Sequence, residues 1–269
     1  MGMTDKPLVT AILPSWNAAG FIHGTLASLD AQTYEAIEIL VGDDASSDET
    51  PAILRDWAAS RPHVRLILRE KNLGWVGNCN DLMAQARGEY MFFAFHDDEL
   101  DPDYVASLTQ ALQGDPEAML AYGYMRWIEA DGTERLLNGR RTGLQSTAYS
   151  RAKAMIMGTW QWHVPNHGLF RASAFSRIGG MKRNEAGEFS ADFPWILHML
   201  LLGRFVRIPR PICTKRMRGG NLSRSWERDA AAHIARDRAA RREINASDLP
   251  FWQRLKLGWL IRLQRRGRT

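Results

Sequence analysis

Apolar residues fall along the first hundred positions in short blocks of two alternating kinds. Residues 8–13 (Leu-Val-Thr-Ala-Ile-Leu) form a β-prone run stopped by Pro14-Ser15, with Trp16, Asn17 and Gly20 supplying a turn. From 21 to 32 the positions Phe21, Ile22, Leu26 and Leu29 repeat at helical spacing, and residues 37–41 return to a strand pattern. The alternation continues with a helix through Ile53, Leu54 and Trp57, a strand over 64–68, a helix carrying Leu82, Met83 and Ala86, and a strand from Tyr90. That last block, Tyr90-Met-Phe-Phe-Ala-Phe95, is apolar throughout, as expected of a central strand in a parallel sheet covered on both faces. Repeated strand and helix predict an α/β protein whose mostly parallel sheet delivers its loops to one edge.

Those loops are polar and twice acidic. Asp43-Asp44 and Asp97-Asp98 each follow a strand, at the carboxyl edge where open α/β sheets bind ligands. Two acids there suit a divalent cation held against phosphates. The plainer alternative for Asp97 and Asp98 is that they open a turn and cap the helix after Pro102.

Beyond Leu112 the pattern changes. Residues 119–125 predict a further strand, and Glu129-Ala-Asp-Gly-Thr133 a hairpin turn of type I′. Residues 157–170 are dense in Trp160, Trp162, His163, Pro165, Asn166 and His167, a composition that serves either the C–H faces of sugars or a core. An apolar helix over 196–202 and a strand over 207–216 follow. From 251 onward Phe251, Trp252, Leu255, Trp259, Leu260 and Leu263 recur at roughly helical spacing among Arg254, Lys256, Arg262, Arg265, Arg266 and Arg268. Such a basic amphipathic helix suits an anionic membrane surface; packing on the domain and a dimer contact are the competing readings.

Composition narrows the class. A chain of 269 residues, 45% hydrophobic, is large enough for one sizeable α/β core. Cys79 and Cys213 are too few and too far apart for a disulfide framework, which points to a reducing compartment. Residues 1–7 have no signal-peptide pattern and no myristoylation motif, and no run of about 18 uncharged apolar residues exists, so a cytoplasmic protein is expected. The formal charge of +5 is concentrated in the tail, and no nucleic-acid reader motif accompanies it.

Five segments taken together resemble family 2 glycosyltransferases of the GT-A fold. They are Val9-Thr-Ala-Ile-Leu-Pro-Ser-Trp-Asn17, the Gln-Thr at 32–33, Val41-Gly-Asp-Asp-Ala-Ser-Ser-Asp-Glu-Thr50, Asn72-Leu-Gly74, and Arg87-Gly-Glu-Tyr90 continuing to Asp98. The resemblance implies a Rossmann-like, mostly parallel sheet flanked by helices, with a smaller antiparallel acceptor-side portion and a C-terminal amphipathic helix. Residues 1–112 would bind the nucleotide sugar, 113–245 the acceptor, and 246–269 form the tail.

The resemblance also assigns roles. Pro14 and Ser15 would line the base pocket and Trp16 stack on the base, although loop packing is an alternative for Trp16. Asn17 would fasten the turn. Asp44 would accept the imide N–H of a uracil-type base, favouring UDP- or dTDP-sugars, with guanine's N1–H and N2 amine as the alternative it could satisfy similarly and Asp43 structural. Asn78 would hydrogen-bond the nucleotide, in a chain where Cys79 replaces a frequent Arg. Asp98 would ligate Mg2+ or Mn2+, with Asp97 a ribose or supporting contact. Phe95 occupies the position of an upstream acid, and His96 should point away from the side chain of Asp97. Asp192, just ahead of the apolar helix, would be the catalytic base, with Glu188 in reserve and a helix cap as the plain alternative. Arg216 or Arg218 would approach the diphosphate.

The function implied is inverting transfer of a sugar from a nucleotide diphosphate to a hydroxyl of a glycan or lipid-linked glycan in surface polysaccharide synthesis, at the inner face of the membrane. The alternative is a non-catalytic nucleotide-sugar-binding partner subunit associated with the membrane.

Overall fold

The computed structural model describes residues 6–158, 160–217 and 229–266. Apolar strands and helices alternate through the first hundred residues: β1 (Val9–Ser15), α1 (Ile22–Asp30), β2 (Ile37–Asp43), α2 (Thr50–Ala58), β3 (Val64–Leu68), α3 (Gly74–Gln85) and β4 (Tyr90–Phe93). Every residue of β1 and β4 is buried, as their unbroken apolar runs require. The first four strands run parallel in the order β3-β2-β1-β4. Because the order reverses between β1 and β4, the loops after β1, β2 and β4 open at a topological switch point.

The second half extends the same sheet. After β5 (Asp98–Leu100) and α4 (Tyr104–Gln113) come β6 (Ala118–Ile128), β7 (Glu134–Leu137), α5 (Ala148–Met157), a 3₁₀ segment (Trp160–His167), β8 (Leu169–Arg171), α6 (Ser173–Ile178), α7 (Asp192–Leu202) and β9 (Arg204–Arg216). The full order is β3-β2-β1-β4-β8-β6-β9-β5, with β7 on β6. Here β8 is antiparallel to β4 and β6, and β5 to β9, while β6 and β9 run parallel. One sheet therefore spans both halves.

The hairpin between β6 and β7 corrects the turn expected from the sequence. Gly132 has φ +83° and Asp131 is not in the left-handed region, so the turn is not type I′. Gly132 N donates to Glu129 O at 3.0 Å and Glu129 N to Thr133 O at 2.9 Å, the pattern of a type I turn followed by a glycine bulge.

Two helices close the chain. In this numbering α8 is Ala230–Ala246 and α9 is Phe251–Arg266. Glu243 of α8 is buried between His198 Nδ1 of α7 (2.5 Å) and Lys182 Nζ (2.9 Å), which ties α8 to the buried helix α7. Leu257 and Ile261 of α9 are buried in the core. Phe251, Trp252, Leu255, Trp259 and Leu263 remain exposed. The tail is thus both packed on the domain and left with a second, outward apolar face. Among the described residues no helix is long and apolar enough to cross a membrane.

Candidate active site

The loops after β1 and β2 are fastened to each other. Asn17, at φ +45°, accepts Ser47 N on Oδ1 (2.9 Å), and its own N donates to Ser46 Oγ (2.9 Å), so it holds the turn as expected. Asp43 accepts the N–H and hydroxyl of Ser46, a structural role. Ala45 sits at φ +60° and Ser190, two residues before Asp192, at φ +47°. Non-glycine residues in this region cost energy and collect at functional loops. Trp16 is 45% exposed above these turns, free to meet a planar ligand. Ser15 is buried beneath it, its Oγ without a hydrogen-bond partner among the described residues. Pro14 O accepts from His96 Nδ1 at 3.0 Å. That ring is half-buried against Phe21, and the desolvation depresses its basicity.

Asp44 is buried and accepts Leu73 N at 2.8 Å. Burial raises its carboxyl, although the Leu73 amide and Arg69, 3.8 Å away, pull the other way. Asn78 does not face a ligand. Its Nδ2 donates to Gly42 O (2.8 Å) and its Oδ1 accepts from Arg69 (3.1 Å), so both ends of the amide are used inside the fold. The direct nucleotide contact expected of Asn78 gives way to a role in positioning Arg69. That arginine, which carries no signal in the sequence, is paired with Asp81 at 2.7 Å and lies 3.8 Å from Asp44.

The second acid pair is divided by burial. Asp97 retains 14% side-chain exposure and Asp98 only 1%, and Lys215 Nζ of β9 stands 3.0 Å from both. The other oxygen of Asp98 lies 2.7 Å from His167 Nδ1. Burial alone would raise the Asp98 carboxyl, but Lys215 and His167 outweigh it and hold the group well below the usual carboxylate range. For Lys215, burial works against the charge and the two aspartates overcome it, so the ammonium is held charged. Phe95, in the place of an acid, packs edge-on against His167 at 5.2 Å. Sequence reasoning missed His167 as a partner and Lys215 altogether. Arg216, expected near a diphosphate, is paired instead with Glu99 at 2.9 Å, and Arg218 lies outside the described residues.

A divalent cation fits this edge only in part. Asp98, His167 and Cys213 each offer one ligand atom, and these atoms lie within 4.8 Å of one another. That buried set mixes oxygen, nitrogen and sulfur, whereas Mg2+ and Mn2+ favour oxygen. The carboxylates of Asp97 and Asp98 supply such oxygens, with the Lys215 ammonium between them.

Asp192 is the first residue of α7 and not its cap, which is Ala191. Burial pushes its carboxyl up to about 6, against the pull of its backbone hydrogen bonds and of His167 and Arg236. A carboxylate poised there suits proton abstraction near neutral pH. Its neighbour Phe193 meets Trp162 edge-on at 4.9 Å and lies under Arg236. Glu188 is committed elsewhere, accepting Trp75 N (3.1 Å) and Val76 N (3.3 Å) at the start of α3. His167 is in contact with Asp98, and its electrostatic influence extends to Asp192.

The sequence model described as Glycosyl transferase family 2 matches residues 10–179, more than half of the chain. The chain belongs to glycosyl transferase family 2. Its fold is GT-A: the solved structure of S. aureus TarS 1-349 in complex with UDP-GlcNAc superimposes with a TM-score of 0.78 at 17% identity, over 97% of this chain and 73% of that one. The mannosyltransferase PcManGT from Pyrobaculum calidifontis, in complex with GDP-Man and Mn2+, gives a TM-score of 0.62 at 21% identity, over 96% and 70%. Among family 2 relatives in sequence, the chondroitin synthase of Escherichia coli is 29% identical over 81% of this chain and 30% of its own length. The hyaluronan synthase of Pasteurella multocida is 26% identical over 81% of this chain and 21% of its own. This family 2 chain therefore spans less than a third of either synthase.

Proposed function

We propose that this chain is an inverting glycosyltransferase that moves a sugar from a nucleotide-diphosphate donor, UDP- or dTDP-linked by preference, to a hydroxyl of a glycan or lipid-linked glycan. The observation that carries the reading is a raised carboxyl, Asp192, at the start of the buried helix α7, under the electrostatic influence of the His167 that lies 2.7 Å from Asp98. Trp16 stacks on the base, Ser15 and Pro14 line its pocket, and Asp44 receives an imide N–H. Asp192 takes the proton of the acceptor hydroxyl as that oxygen attacks the anomeric carbon from the face opposite the phosphate. Asp98 and Asp97 would hold Mg2+ or Mn2+, whose charge stabilises a departing diphosphate in such sites. Lys215 touches both acids at 3.0 Å and helps keep Asp98 ionised. The uridine nucleotide bound to TarS and the Mn2+ bound to PcManGT accord with these assignments.

The outward face of α9 lies on an anionic membrane surface. It presents Trp252, Leu255, Trp259 and Leu263 with Lys256 and Arg262, all exposed, the combination that holds an interfacial helix. This placement brings a lipid-linked acceptor and a role in surface polysaccharide synthesis within reach.

The test is release of nucleoside diphosphate from a panel of nucleotide sugars, with and without Mn2+. Slow release from one or two uridine or thymidine donors is expected. Tight binding of a nucleotide sugar without release from any donor would favour a non-catalytic binding subunit, the reading that Phe95 and the neutralised acid pair keep open.

A further inference from the structure

The acceptor-side face carries a concavity of about 460 Å3 that shares no lining residue with the acid-pair site. Its walls are Leu136, Asn138, Arg140, Arg141, Gln161 and Arg207, half of them arginine and none acidic. Several arginines elsewhere in the fold are matched by acids, as in Arg61 with Asp30, Arg69 with Asp81 and Arg87 with Glu38. Among the described residues, none of Arg140, Arg141 and Arg207 has a carboxylate within ion-pair distance.

The turn that carries the arginines is also held in place. The guanidinium of Arg207 donates to the carbonyls of Asn138 (3.3 Å) and Arg140, and lies over the ring of Tyr124 at 5.6 Å. Asn138 Oδ1 accepts Arg140 N at 2.8 Å, and Arg140 itself is at φ +49°. A turn fixed in this way presents Arg140 and Arg141 outward. Gln161 contributes a buried Oε1 with no hydrogen-bond donor among the described residues, and Leu136, 54% exposed, an apolar wall. One guanidinium held by the turn, two exposed ones beside it and an apolar patch match a polyhydroxylated ligand that carries negative charge.

The concavity is joined to the candidate base by one element. Gln161 and Trp162 are consecutive in the 3₁₀ segment (Trp160–His167), and Trp162 rests on Phe193, beside Asp192. From Gln161 to the His167 end of that segment is ~12 Å at the usual 3₁₀ rise, a span of a few sugar residues.

We propose that this concavity is a subsite for an oxyanion, carboxylate or phosphate, on the acceptor, so that the acceptor is an acidic glycan. Guanidinium groups bind such oxyanions through paired N–H donors. The proposal rests on the glycosyltransferase reading and names its acceptor class.

Calorimetric binding to the full chain tests it, with a uronate-containing oligosaccharide, a polyol-phosphate oligomer and a neutral oligosaccharide of equal length. At least one acidic probe is expected to bind about tenfold tighter than the neutral one, with the advantage shrinking as salt rises. The exposed substitutions Arg140→Gln and Arg141→Gln together should remove that advantage. Arg207→Gln also loosens the turn, so it serves only as a second variant. Thermal midpoint and nucleoside-diphosphate affinity report whether the fold and the donor half are intact. Equal affinity for acidic and neutral probes, or an advantage that survives the double substitution, overturns the subsite. Failure of the glycosyltransferase reading shows separately, as absence of nucleoside-diphosphate release from every donor.

Discussion

At the donor edge the charged groups are paired within the protein, whereas on the acceptor side the arginines around residues 138–141 face outward without acids. Asp98 is enclosed by Lys215 and His167, and Asp44 lies beside Arg69. Arg140 and Arg141 are exposed. The donor edge is therefore built into the core, and its electrostatics belong to folding as much as to binding. The Arg140–Arg141 turn is a surface whose charges no acid of the described residues meets. Substitution at the first should cost stability and activity together; at the second, and on α9, it should cost binding alone.

The strongest test of that contrast is Asp98→Ala. It takes away one of the two carboxylates that meet the Lys215 ammonium and the one that meets the buried His167 imidazole, and breaking such an arrangement costs about 3–5 kcal/mol. Transfer should be abolished and the thermal midpoint should fall in the same protein. A variant of unchanged stability would show that the donor edge is not tied to the core in this way.

A smaller effect follows from the titration of Asp192. Its burial-raised carboxyl, at about 6, must be ionised to accept a proton. The sign is fixed: kcat/KM should be flat above that value and fall about tenfold per pH unit below it. A pH profile of transfer, with stability followed in parallel, reads this directly; a rate that stays level to pH 4.5 removes Asp192 from the proton transfer.

The smallest effect on the folded protein belongs to α9. Leu255→Ser and Trp259→Ser change exposed side chains, so the thermal midpoint should hardly move. Cosedimentation with vesicles containing anionic lipid should weaken on the order of tenfold for the pair. Unaltered sedimentation would return the outward face to a protein contact.

Much of the donor half was legible because its chemistry is local. Strands β1, β2 and β4 announce themselves as apolar runs, and Trp16, Asp44, Asp97 and Asp98 follow them directly in sequence. The missing parts are those that arrive from far along the chain. Lys215 reaches Asp98 across 117 residues and carries no local signal of that pairing, and His167 sits in an aromatic stretch that reads equally as core. Asn78 was misread for the opposite reason. It occupies the expected loop and helix, but the close approach of α3 to Gly42 turns its amide inward. The hairpin at 129–133 shows the same limit on a smaller scale, since Asp-Gly serves a type I turn with a bulge as readily as type I′.

The most direct test of the central claim is Asp192→Asn, measured for transfer and for nucleoside-diphosphate binding in the same preparation. The amide keeps the size and place of the carboxyl and loses its basicity. The account predicts a fall in kcat of about 10²- to 10⁴-fold, with nucleotide affinity essentially retained. Full turnover by this variant would contradict it.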